Sequence, residues 1–291
     1  MFQKLKKQLL NIALSPFVGT GIGLKFPDIS NALTRYYLSL DPKKELTVAT
    51  REKFDIHVDG TDHGVGFELQ VTRQFEPHVS RELKKFLPNA QTFVDVGANI
   101  GYISAFAASR NAKLRILSIE PDSHNRELLT KNLLPWKDQV KIVPYAVGDN
   151  VMLVSLSQSE NHGAIQIQEL PGSVQMETLD NLCADMSYID LMKMDIEGYE
   201  CHAIRGMKHL LKENRIGALI IECYPQKLEQ FDSTALLLVE LLSPFFSFAA
   251  IEGTGLKHFK GIVDTAEYVE SRICSNLLCL AKKPLEPARF A

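Results

Sequence analysis

The sequence has no Cys-x-x-Cys pair, no block of basic residues, no unbroken apolar run long enough to cross a bilayer, and no third glycine where a G-x-G-x-x-G fingerprint would put one. Each absence removes a class of protein. The five cysteines, Cys183, Cys201, Cys223, Cys274 and Cys279, are odd in number and mostly sit inside apolar runs. There cysteine acts as a small hydrophobe, which points to a reducing cytoplasm and away from a disulfide-built scaffold. A formal net charge of -3 with scattered Lys and Arg gives no electrostatic footprint for nucleic acid, so none is expected as a partner. The stretch LLNIALSPFVGTGIGL after Lys4, Lys6 and Lys7 imitates a secretion signal, yet Pro16, Gly19, Gly21 and Gly23 interrupt it and no small-residue cleavage pattern follows. It is expected to be a first helix packed on the domain, with peripheral contact to a membrane or a partner through residues 1–25 as the alternative.

Among the 291 residues, 45% are apolar and 23% charged, enough to bury a sizeable core in one catalytic-size domain with appended segments. Periodicity separates three regions. Residues 1–50 read as helical and then irregular, with DPKKE as a solvated connection. Residues 51–90 hold an antiparallel hairpin over 54–71, from the alternation in FDIHV and GFELQV, and a helix at about 74–87. Residues 91–291 alternate short apolar runs with helical stretches, the mark of βαβ units. Strands are expected at 91–97, 114–120, 140–146, 190–196, 217–223, 246–252 and 275–282, and helices at about 101–110, 122–133, 199–212 and 228–242. The predicted fold is α/β, a doubly wound, mostly parallel seven-stranded sheet with an N-terminal extension and a β-hairpin inserted between the third and fourth core strands.

The strand TFVDV runs into a turn, Asp95-Val-Gly97-Ala-Asn99-Ile-Gly101, before a helix begins. Gly97 and Gly101 permit a sharp turn and a close ligand approach, and the new helix presents unpaired N–H groups. At the tip of the second strand, 23 residues after Gly97, stands Glu120, which can accept hydrogen bonds from both hydroxyls of a ribose. Together these features specify a nucleoside-containing cofactor. Asp95 would repel a pyrophosphate and attract the ammonium of a methionine moiety, which favours S-adenosylmethionine over a dinucleotide.

In order and spacing, FVDVGANIGYIS, SIEPD, AVGD at 146–149, TLDNL at 178–182 and LMKMDIEGYE at 191–200 resemble the FkbM family of class I S-adenosylmethionine-dependent methyltransferases. The likeness runs from about Gly66 to Lys283; the first fifty residues fall outside it. It implies that Gly97, Ala98, Asn99 and Gly101 form the turn under the methionine portion, with Tyr102 opening the helix beside it. It further implies that Glu120 holds the ribose, that Pro121, Asp122 and Asn125 border the adenine, and that Ala146 and Val147 line its edge. The implied reaction is O-methylation of a sugar, glycolipid or secondary metabolite, so the implied partner is a small-molecule, glycan or lipid-linked acceptor.

In LMKMDIEGYE, strand alternation puts Lys193 and Asp195 on one face. Asp195 sits at the carboxyl end of the fourth core strand, where a doubly wound sheet exposes its cleft, and Glu197 follows in the turn. Either would orient the acceptor or take its proton. Lys193 in an apolar strand needs a counter-ion, for which Glu222 is the first choice and Glu197 the second. Lys193 is then either a structural ion-pair member or a substrate anchor, and Glu222 is also at a cleft-facing strand end. Asp195, Glu197 and Glu222 offer oxygen ligands but no dedicated ligand cluster, so no metal is expected. His162 in SENHG is the histidine best placed near a substrate, although an exposed turn is the favoured reading for it; His124 reads as exposed and Trp136 as packing.

Two rival classes remain. A non-catalytic methyltransferase-fold protein recruited through its N-terminal helix is disfavoured because no bulky residue replaces Gly97 or Gly101 and the acidic positions are intact. An NAD-type oxidoreductase is disfavoured by the missing glycine and by Asp95.

Overall fold

The computed structural model describes residues 2–14, 18, 27–40, 44–158, 165–168 and 172–283. Pro16, Gly19, Gly21, Gly23 and His162 lie outside them. The chain divides into a first unit, residues 1–77 with 158–164, and a second, residues 78–157 with 165–291.

The first unit contains α1 (Phe2–Leu14), α2 (Pro27–Ser39), β1 (Glu45–Ala49), β2 (Asp55–Asp59) and α3 (Val65–Thr72). Its core joins Tyr37, Leu38, Phe67 and Val71, with Leu10, Leu14 and Val18 packed against them. Two expectations are corrected here. The hairpin exists, but β2 pairs antiparallel with β1, Val48 opposite Ile56, in a stretch read as irregular. GFELQV is not its second strand but part of α3. Asp62 starts that helix by accepting the N–H groups of Gly64 at 2.9 Å and Gly66 at 2.6 Å. Its residues are buried on nearly every side, which erases the one-sided stripe that marks a helix in sequence.

In the second unit α4 (Pro77–Phe86) precedes the sheet, whose parallel half is built from β3 (Thr92–Val96), α5 (Tyr102–Arg110), β4 (Arg115–Ile119), α6 (Ser123–Leu133) and β5 (Val140–Val143). There follow β6 (Ala146–Val147), β7 (Met152–Gln158), β8 (Ile165–Gln168), β9 (Val174–Glu177) and α7 (Leu179–Leu182). The inserted segment is thus more than a hairpin, because β6 to β9 form a separate four-stranded sheet in the order β6-β9-β7-β8. The main sheet resumes with β10 (Ile189–Met194), α8 (Glu200–Arg205), α9 (Lys208–Lys212), β11 (Ile216–Cys223), α10 (Pro225–Glu229), α11 (Ala235–Leu242), β12 (Phe246–Glu252), β13 (Gly255–His258), α12 (Ile262–Glu270) and β14 (Ser275–Ala281).

The main sheet runs β13-β12-β14-β11-β10-β3-β4-β5. From β5 to β11 all neighbours are parallel, while β14 runs antiparallel to β11 and to β12. The doubly wound α/β plan holds, with one strand more than the seven expected. The extra strand, β13, is short and polar and folds back on β12 through the glycines at 253 and 255, so it carries no apolar signal. Val94, Val96, Met192, Met194, Leu219 and Ile221, fully buried, carry the core between sheet and helices. Two expected helices are each broken in two. The 199–212 helix breaks at Gly206, where a Cβ would meet the carbonyl oxygen of Gly148. The 228–242 helix breaks over 230–234, where Thr234 caps the next helix by accepting Leu237 N–H at 3.1 Å.

Candidate active site

In chain order the parallel strands fill one side, β3 to β4 to β5, and then the other, β10 to β11. The order therefore reverses between β3 and β10, and a doubly wound sheet opens its crevice at the carboxyl ends of such a pair. Asp95 lies opposite Lys193 in the register across this gap and opposite Ser118 on its other side.

The turn after β3 is held by its own backbone. Gly97 and Ala98 both donate N–H to Ile119 O at 3.0 Å, and Gly101 donates to Ala98 O at 2.8 Å. Gly97 and Gly101 have φ of +80° and +86°, and Asn99 joins them at +50°. The space a Cβ would need at Gly97 is filled by the carbonyl oxygen of Asp195, and at Gly101 by Leu129 Cδ1 at 2.5 Å. The absent side chains thus let the turn pack against the β10 loop and α6, a requirement that adds to the sharp turn and ligand approach expected. Gly97→Ala is expected to destabilise the protein by about 3 kcal/mol or more, through a left-handed backbone and a backbone collision together. A urea midpoint within error of wild type would show that the two loops do not depend on each other.

Glu120, only 4% exposed, closes the tip of β4. Its Oε2 accepts Asn99 N–H at 2.8 Å and its Oε1 accepts Asp122 N–H at 3.0 Å, so the carboxylate ties the glycine turn to the second strand. The Asn125 side chain is a third hydrogen-bond partner. Burial pushes the Glu120 carboxyl up to about 7 against the pull of these donors. Asp122 is the N-cap of α6, accepting Asn125 N–H at 2.8 Å, and Pro121 O accepts from Arg126 at 2.6 Å. Tyr102, Ala98, Ala146 and Val147 are buried, the last two within β6 where they pair with β9. His124 is exposed and Trp136 half-buried in a short 3-10 turn.

A second cluster surrounds Lys193. Asp95, 1% exposed, accepts from Ser104 at 2.6 Å through Oδ2; its Oδ1 is buried with no hydrogen-bond partner among the described residues. Burial raises Asp95, and the Lys193 charge and the Ser104 hydroxyl work against that rise. Lys193 Nζ is ion-paired with Asp195 Oδ2 at 2.8 Å, where sequence placed Glu222 first and Glu197 second. Alternation explains the choice: residues two apart on one strand share a face, and the strand ends before Asp195 can turn away. Burial alone would raise Asp195, but the Lys193 ammonium and hydrogen bonds from Lys193 and Glu222 outweigh it and hold the carboxyl below its ordinary range.

Glu197, at φ +61°, is ion-paired with Lys227 from the first turn of α10. Lys227 also lies 4.7 Å over the Tyr224 ring, and burial lowers its ammonium, partly offset by Asp195. Sequence reading missed it, because the expected helix began at 228 and left Lys227 in the preceding loop. Cys274 was also missed: its thiol hydrogen-bonds Glu222, and burial pushes it well above the ordinary thiol range. It precedes β14, whose antiparallel direction sets Ser275 opposite Cys223 and so brings a strand beginning to the end where the parallel strands finish. A third missed residue, Glu200, accepts Ile196 N–H at 3.1 Å and Gly198 N–H at 3.2 Å and closes the DIEGYE turn; burial pushes it up to about 7.

Residues 95–252 match the family model for the methyltransferase FkbM domain. Among solved structures, the chain is similar to the methyltransferase FkbM from Methylobacillus flagellatus KT, at 18% identity over 73% of this chain and 52% of that one, with a TM-score of 0.44. It is also similar to an O-methyltransferase from Bacillus cereus in complex with SAH, at 13% identity over 71% of this chain and 82% of that one, TM-score 0.42. A third is the precorrin-6y C5,15-methyltransferase from Geobacter metallireducens GS-15, at 12% identity over 72% and 89%, TM-score 0.41. The chain spans about half the length of the Methylobacillus protein. No curated protein matches it.

Proposed function

This chain belongs to the FkbM methyltransferase domain family, and from that premise we propose that it is an S-adenosylmethionine-dependent O-methyltransferase acting on a hydroxyl of a sugar, a glycolipid or a secondary metabolite. The cofactor half of this reading is carried by Glu120. A carboxylate offers about four lone-pair positions, and Asn99, Asp122 and Asn125 occupy three of them. One ribose hydroxyl fits the fourth, and the second replaces the Asn125 amide, the one side-chain donor of the three. Asp95 Oδ1, buried with no hydrogen-bond partner among the described residues, supplies acceptor capacity for an ammonium at the neighbouring strand tip. The residues therefore fit a nucleoside that carries a free amino-acid group.

When bound, S-adenosylmethionine supplies an electrophilic methyl group on its sulfonium. Asp195, kept ionised by Lys193, accepts a hydrogen bond from the acceptor hydroxyl and receives its proton as that oxygen attacks. A base of lowered basicity contributes less than one poised near neutrality, so orientation is its larger task. Holding reacting groups in line supplies about 7–11 kcal/mol. Lys227, paired with Glu197 beside the same carboxylate, limits how Glu197 can turn toward a substrate.

Isothermal titration should give saturable heat with S-adenosylhomocysteine and none with NAD; heat from NAD alone, or from neither, overturns the cofactor assignment. Incubation with methyl-labelled cofactor and fractionated sugar, glycolipid and small-metabolite pools should place the label on an ether oxygen. Label found only on nitrogen or carbon overturns the hydroxyl assignment.

A further inference from the structure

Helix α1 is apolar on two sides. Its inner side is fixed: Leu10 and Leu14 pack on the Tyr37, Leu38, Phe67 and Val71 cluster. Lys7 donates to Gln70 Oε1 at 3.1 Å and lies 4.7 Å over the Tyr37 ring, and Asn11 donates to Gln70 O at 3.4 Å. With 3.6 residues per turn, this contact turns Leu9 and Ile12 away from the cluster, and they are 60% and 75% exposed. In sequence, Phe2 and Leu5 continue the same spacing. Helix α2 repeats the arrangement. Thr34, Tyr37 and Leu38 are buried, while Ile29, Leu33 and Tyr36, spaced four and three apart, are exposed.

None of the exposed side chains contributes to the core of the unit, and leaving an aliphatic stripe in water is unfavourable unless something covers it. Charge says what. Residues 1–40 carry five basic side chains, Lys4, Lys6, Lys7, Lys25 and Arg35, against one acidic, Asp28, in a chain whose net charge is -3. Lys6 and Arg35 are themselves exposed. Apolar stripes flanked by basic residues match a bilayer surface with anionic headgroups, and an aromatic such as Tyr36 suits its interfacial layer. Among the described residues no helix is long and apolar enough to cross a membrane, so the helices would lie on the surface.

We propose that α1 and α2 form a docking surface for a lipid bilayer bearing anionic headgroups. This proposal does not depend on the cofactor or the reaction. The full chain should co-sediment with phosphatidylcholine vesicles containing phosphatidylglycerol and much less with phosphatidylcholine alone, by roughly fivefold for each basic residue engaged. Leu9→Glu with Ile12→Glu, and separately Ile29→Glu with Leu33→Glu, should each lower binding about tenfold or more. Lys6→Gln with Arg35→Gln should lower only the phosphatidylglycerol-dependent part, and this pair decides the matter if a glutamate variant loses its far-UV circular dichroism. Leu236→Glu, at an exposed position on α11, should bind as wild type. Binding that ignores phosphatidylglycerol, or no binding, overturns the proposal. So does a wild-type dimer in ultracentrifugation that becomes a monomer in Leu9→Glu with Ile12→Glu, which would give the face to a second copy of the chain.

Discussion

Glu120→Gln is expected to weaken S-adenosylhomocysteine binding about a hundredfold and to abolish its pH dependence. A hydrogen bond to a charged acceptor is worth about 1.5–3 kcal/mol, and each 1.4 kcal/mol is tenfold in affinity. Glutamine keeps the size of the side chain and one oxygen acceptor, but it offers an N–H₂ where the second hydroxyl needs an oxygen. The pH dependence has a definite sign. In the free protein the Glu120 carboxyl sits at about 7, raised by burial against the N–H groups of Asp122 and Asn99. Ribose hydroxyls favour the ionised form. Below pH 7 the proton must therefore leave when the ligand enters, and affinity falls with each unit; above it, no proton is released. Wild-type affinity should rise roughly tenfold from pH 6 to pH 8. The glutamine variant should show no rise, because its side chain does not titrate. Titration calorimetry in two buffers of different ionisation enthalpy, near pH 7, should also register fractional proton release for wild type only. Equal affinities, or a wild-type affinity that falls as pH rises, would remove Glu120 from the ribose.

The pieces of this site that sequence made visible share one property: they stand at strand ends whose strands announce themselves. TFVDV and RILSI are short apolar runs bounded by polar turns, so Asp95 and Glu120 could be placed at a common edge of the sheet. Lys193 and Asp195 followed from a period of two within one strand. What stayed hidden needs information from a second element. Cys274 reaches Glu222 only because β14 runs backwards, and nothing in SNLLCLA states its direction. Counter-charge for Lys193 was sought one strand away on grounds of desolvation, whereas Asp195, just past the end of its own strand, was already in reach. The sharp turn at Gly97 was legible, but the carbonyl on the loop after β10 that also requires glycine there was not. GFELQV failed for another reason: buried on most sides, it shows neither a clean helical stripe nor a true alternation, and the adjoining FDIHV made the strand reading locally consistent.

Asp195→Asn is expected to lower turnover by about 10²–10³-fold while leaving S-adenosylhomocysteine affinity within about threefold, the range a positioned base and hydrogen-bond acceptor supplies. A structural explanation must be separated from the chemical one, because the substitution removes the partner of Lys193, whose side chain is 3% exposed. Breaking a buried pair from one side costs about 3–5 kcal/mol, here toward the lower end, since Asp195 keeps 19% exposure and Asp95 still faces the cation. Asp195→Asn combined with Lys193→Met removes both charges of the pair, a change close to neutral in stability apart from the cost of leaving buried Asp95 without its cation. The double variant should thus recover part of the urea midpoint and none of the turnover. If it recovers both, the pair is scaffolding and the proton leaves by another group, with Glu222 the first to examine by Glu222→Gln. If Asp195→Asn alone turns over as wild type does, Asp195 does not touch the acceptor at all.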